Sequence, residues 1–160
     1  MKVNNSTRLS KHFTLGEMRF SRTAMIHGIE NNPKSEHIDN LRRLCVSVLE
    51  PIREHFGVPF SPNSAYRSLE LNRKIGSKDH SAHVDGRAAD IEINGVDNRQ
   101  LWQWCIDNLG RTFDQCILEK HTSGVASSGW VHLAIAPSDK EPRRMYMVLN
   151  ERASEVGFVA

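Results

Sequence analysis

Ser81 to Ile93 reads S-A-H-V-D-G-R-A-A-D-I-E-I, and its two halves call for different structure. In the second half Ala89, Ile91 and Ile93 alternate with Asp90 and Glu92, the period of a strand with one apolar and one polar face. Asp90 should therefore point away from the core. The first half is a turn sequence: Asp85-Gly86 can reverse the chain and fold His83 back over the strand. A second stretch, W-V-H-L-A-I at 130–135, repeats the alternation, with Val131, Leu133 and Ile135 on one face and Trp130, His132 and Ala134 on the other. If the two strands are neighbours in one sheet, Asp90, His132 and His83 converge on the polar face.

Two imidazoles and a carboxylate are the ligand set of an open, catalytic zinc site, which keeps one coordination position for water. A closed structural site would draw on paired cysteines. Here Cys45, Cys105 and Cys116 are scattered singly, which argues against a zinc finger and suits a reducing compartment in which they are small core residues. One Zn2+ per chain is the expectation.

Working outward, residues 1–12 read as a loose polar lead and 13–160 as one catalytic domain, since 160 residues can bury a single core. Thr14 is placed to cap a short helical turn at 15–18, and a second short helix follows from Ser21 to Ile26. The principal helix starts at Ser35 as its N-cap. Ile38, Leu41, Cys45, Val48, Leu49, Ile52 and Phe56 recur at helical spacing until Gly57, with a kink expected at Pro51. A helix-like stretch follows Arg67, and a further helix from about Asn98 to Leu109 buries Leu101, Trp102 and Cys105. The strand-like segments are 88–93, 113–119, 130–135 and 144–150. Helices first and mostly strands later indicate an α+β domain, a central antiparallel sheet flanked by helices.

A net charge of +2 and a pI near 8.5 are too mild to argue for nucleic acid as a partner. No run of 18 apolar residues suggests membrane insertion, and the opening M-K-V-N-N-S-T-R-L-S-K lacks the apolar core of a signal peptide.

S-A-H-V-D-G-R-A-A-D followed by W-V-H resembles the signature of the M15 peptidases, a group of zinc-dependent D-alanyl-D-alanine carboxypeptidases and phage endolysins. The resemblance extends to F-T-L-G-E-M at 13–18, S-A-Y-R-S at 64–68 with Asn72 beyond it, and F-D-Q-C-I-L-E at 113–119. It implies the D-alanyl-D-alanine carboxypeptidase/hedgehog-like fold, and zinc held by His83, Asp90 and His132. It also implies that Arg67 binds a peptide carboxylate or steadies the oxyanion, as the forked, always-charged guanidinium can. Tyr66 and Ser81 would help to bind substrate.

In one respect the chain departs from the pattern. Many relatives carry a catalytic Glu three residues before the last ligand, or a His two residues before it, and these positions are Gly129 and Trp130 here. Neither can take a proton, so the general base must come from elsewhere. Glu119, at the end of its strand beside W-V-H, is the candidate. The resemblance thus implies a peptidase acting on the stem peptide of bacterial peptidoglycan, of D,D-carboxypeptidase or L-alanyl-D-glutamate endopeptidase type. It would be phage-derived, held in the host cytoplasm before release or packed with other virion proteins. The alternative is a zinc-binding wall-recognition or virion structural module with little or no activity, and a third possibility is hydrolysis of the free dipeptide.

Overall fold

Five strands pair into one sheet: β1 (Ala88–Ile91), β2 (Gln115–Glu119), β3 (Trp130–Ala134), β4 (Met145–Leu149) and β5 (Ser154–Phe158), in the spatial order β1-β3-β2-β4-β5. They belong to a computed structural model that describes residues 4–150 and 154–160. The α+β class expected from the sequence holds, but the sheet is mixed. Three pairings are antiparallel and β2–β4 is parallel. The chain leaves β3, passes over the end of β2 and starts β4 beside Gln115, so β4 runs with β2.

Alternation along the strands sorts their side chains. Ala89, Ile91, Val131, Leu133, Cys116 and Leu118 are buried on one face, where they join the core. Helices cover that face because they carry the matching apolar stripe. α3 (Ser35–Leu44) brings Leu41 and Leu44, and α6 (Asn98–Leu109) brings Leu101, Trp102, Cys105 and Leu109. Trp102 also donates its indole N–H to the Cys116 carbonyl at 3.1 Å, so the polar atom of this buried ring is satisfied. All three cysteines are free and buried.

The principal helix has an interruption. After α3 the chain turns π-helical over Cys45–Leu49 before α4 (Glu50–Phe56), with Pro51 in the first turn of α4. Proline lacks an N–H and clashes with the carbonyl four residues back, and a wider π turn ahead of it accommodates both defects. The N-cap is Lys34 rather than Ser35, and the His37 ring accepts the Lys34 N–H at 3.3 Å. Shorter helices are α1 (Leu15–Arg19), capped by Thr14 as expected, α2 (Arg22–His27), capped by Ser21, and α5 (Leu69–Lys74), capped by Ser68.

Two further expectations need correction. The lead is not loose over residues 4–12, while residues 1–3 lie outside the described part. Leu9 is buried in the core, and the His12 N–H donates to Glu50 at 2.7 Å, so an apolar anchor and a charged clamp fasten the segment to the principal helix. The last strand is β5, which sequence alternation missed because Gly157 interrupts it. That glycine faces Tyr146 across the pair, and a side chain there would overlap the tyrosine ring.

A candidate metal centre

The face opposite the core carries the polar side chains. β1 and β3 pair so that Asp90 lies directly across from His132, and β2 pairs so that Ile117 is the other neighbour of His132. Asp90 and His132 therefore project side by side, as the alternation required. His83 arrives from the turn. Gly86 has φ +71° and packs against α3 so closely that a Cβ would stand 2.6 Å from the His37 carbonyl oxygen. Only glycine allows that approach, which seats the 81–87 turn and with it His83.

The three side chains are buried, and one ligand atom from each lies within 4.8 Å of the others. Asp90 Oδ1 is 2.8 Å from His132 Nδ1 and 3.3 Å from His83 Nε2. Ligand atoms of a tetrahedral zinc site, at bonds of about 2.0–2.1 Å, sit about 3.3 Å apart. The spacing fits.

The hydrogen bonding of His83 makes a stronger case. Its Nδ1 is 2.7 Å from the Ala65 carbonyl, which can only accept, so Nδ1 carries the proton. In the neutral ring Nε2 then turns a lone pair toward a carboxylate oxygen. Burial, the largest influence, pushes the His83 pKa down against the pull of Asp90, which disfavours relieving the repulsion with a second proton. A cation bound by both atoms relieves it. Asp90 is ready for that role: burial raises its pKa, but His83 and His132 together hold it far below the usual carboxylate range.

Arg67 reaches the same carboxylate. Residues 63–64 bridge to the free edge of β1, with the Asp90 N–H donating to the Ser64 carbonyl and the Asn63 N–H to that of Asp90, both at 2.8 Å. From that edge Arg67 donates through Nη2 to Asp90 Oδ2 at 2.9 Å and through Nε to Ser64 Oγ at 2.8 Å. It orients the Asp90 carboxylate, a role the sequence did not suggest. Ser64, the hydroxyl that holds it, was quoted within S-A-Y-R-S but given no task, and a backbone acceptor such as Ala65 O leaves no sequence signal at all.

Glu119 ends β2 opposite Trp130, one alternation beyond Ile117, and so shares the face of His132. Burial raises its pKa above the ordinary glutamate value; Asp90 adds to the rise, while His132 and Arg67 oppose it. Its expected alternative, a glutamate at position 129, is ruled out sterically. Gly129 has φ +69°, and a Cβ there would stand 2.0 Å from the Glu119 carbonyl oxygen.

Ser81 lines a cleft of about 610 Å3 beside His132, together with Lys78, His80, Arg87 and Arg143. Its backbone also anchors the turn, accepting from the Val84 N–H at 3.0 Å. Tyr66, expected to help bind substrate, is buried in the core with its hydroxyl donating to the Asn32 carbonyl at 3.4 Å, and this cleft is lined without it. The adjoining residue Arg67 must face the site, and along an extended segment its neighbour then faces inward. Asn98 straps the 121–129 loop by donating to the carbonyls of Ser128 at 3.2 Å and Gly129 at 3.0 Å, another contact invisible in the sequence.

No curated protein matches the chain. Residues 11–134 match the family model described as Peptidase M15, whose members are zinc-dependent metallopeptidases, and the stretch runs from before α1 through the whole of β3 to the last histidine of the triad. With that match over most of its length, and with a buried His-Asp-His group suited to a metal, the chain belongs to the M15 peptidase family.

Proposed function

We propose that this protein hydrolyses an amide bond in the stem peptide of bacterial peptidoglycan, as a phage-derived endolysin or a virion-associated wall-opening enzyme. The observation that carries the reading is a buried His83-Asp90-His132 group sharing one sheet face with a carboxylate, Glu119, whose pKa is raised.

His83, Asp90 and His132 would hold zinc, which when bound supplies Lewis acidity to a water and to the scissile carbonyl. Arg67 keeps Asp90 oriented. Glu119 takes a proton from the attacking water and returns it to the leaving amine, and its burial tunes it for both transfers by bringing its pKa toward the working pH. Along the cleft Arg87 is paired with Asp85 at 2.8 Å and Arg143 with Asp114, which leaves Lys78 as the cation that suits a free carboxylate of a stem peptide. Within this reading the bond cleaved is either the terminal D-alanyl-D-alanine bond or the L-alanyl-D-glutamate bond.

Purified cell walls incubated with the zinc-loaded protein, followed by mass analysis of the released fragments, test the proposal. Release of D-alanine identifies a carboxypeptidase and release of whole stem peptides an endopeptidase, each abolished by a chelator. Tight wall binding without any product would instead establish the recognition module. Activity confined to the free dipeptide would point to a different substrate.

A further inference from the structure

A second cavity, of about 630 Å3, is lined in part by Thr112, Ile135 and Ala136, at the end of the sheet where β3 finishes and the chain approaches β2. Arg42, Arg43, Arg111 and Lys140 line it against one carboxylate, Asp39, leaving three positive charges in excess. The whole chain carries a net charge of only +2, so the remainder is slightly negative and the cationic charge is concentrated here. The four cations are exposed, and two of them have partners within the fold. Arg42 pairs with Asp39 at 3.1 Å, and Arg43 donates to Asn40 Oδ1 and to the Ala136 carbonyl, both at 3.2 Å, so its charge is uncompensated but both terminal nitrogens are engaged. Arg111 and Lys140 form no ion pair among the described residues. Between the cations the lining is mostly apolar, with Val46, Ile135, Ala136 and Pro142 beside the hydroxyls of Ser47 and Thr112.

We propose that this cavity is a binding site for a phosphodiester, the anion of a polyol phosphate polymer or of a phospholipid headgroup. Arg111 offers a free planar fork that matches phosphate oxygens and Lys140 a second free cation, and concave low-dielectric walls focus the field of all four. The apolar strip suits the carbon links that flank a phosphodiester, which a bare inorganic anion would not use. The site is separate from the cleft but backs onto it: Ile135 lines the cavity, and its carbonyl accepts from Arg87 Nη1 at 2.9 Å, while Arg87 lines the cleft. A polymer held here would keep the metal centre beside the surface that bears it.

The test titrates the full-length protein with a glycerol phosphate oligomer and, separately, with phosphatidylglycerol vesicles at low and moderate salt. The double variant Arg111→Gln/Lys140→Gln is compared with a charge-matched control, Arg22→Gln/Lys74→Gln, placed away from the cavity. Saturable, salt-sensitive binding of either probe that weakens about tenfold in the cavity variant, but not in the control, supports the site. The probe that binds then identifies the source of the phosphodiester. Absence of binding to both probes, or equal loss in the two double variants, overturns it.

Discussion

Arg67 Nη2 donates to Asp90 Oδ2 at 2.9 Å, while the other oxygen of the same carboxylate faces both histidines of the triad. Each oxygen of Asp90 thus has an assigned partner, and the arginine determines which oxygen is left for a metal. Outer-shell contacts of this kind set ligand orientation and basicity.

Arg67→Ala should therefore weaken zinc binding by about 10–100-fold, the usual cost of removing an outer-shell partner. Competition with a chromophoric chelator measures it. Arg67→Lys should recover only part of the loss, because an ammonium cannot hold Ser64 and Asp90 together as a fork does. Unchanged affinity in the alanine variant would move Arg67 from positioning the carboxylate to contacting substrate.

Glu119→Gln should keep one zinc per chain and lower kcat by about 10²–10⁴-fold, the range for loss of a general base. Metal analysis and turnover on the same preparation separate the two effects. Near wild-type turnover with zinc bound would exclude Glu119 as the base.

The raised pKa of Glu119 gives the acid limb a sign. A base must be ionised, so activity persists above the raised value and is lost as pH falls through it. The limb should lie closer to neutrality than the ordinary glutamate value of about 4.3, and it should vanish in Glu119→Gln. Stability runs the other way. A carboxylate whose folded pKa lies above its unfolded one costs stability once ionised, so metal-free Glu119→Gln should melt at or above the wild-type temperature near neutral pH.

Gly129→Ala should destabilise the fold by about 2 kcal/mol or more, since the left-handed backbone and the overlap with the Glu119 carbonyl both penalise a Cβ. Thermal or urea melts measure this. Combining Gly129→Glu with Glu119→Gln should fail to restore activity, because the strain displaces the strand end from which the base projects. Recovery of turnover would show that the 120–129 loop can relax.

The period-two patterns of A-A-D-I-E-I and W-V-H-L-A-I assigned Asp90 and His132 to the polar sides of their strands without any coordinates, because side-chain direction in a strand follows from backbone geometry alone. The helical stripe from Ile38 to Phe56 was equally legible, as was the triad itself, whose residue types dictate the metal chemistry. Tertiary structure decided everything that depends on which strands are neighbours. It made β2–β4 parallel, set Asp90 opposite His132, brought Ser64 to the edge of β1 so that Arg67 grips Asp90, and turned Tyr66 inward. It also explained Gly129, whose conformation leaves no room for the glutamate that relatives carry there. Local pattern records how each residue leaves its own backbone, whereas register, edge bridges and backbone acceptors arise between segments far apart in sequence, where no local periodicity can encode them.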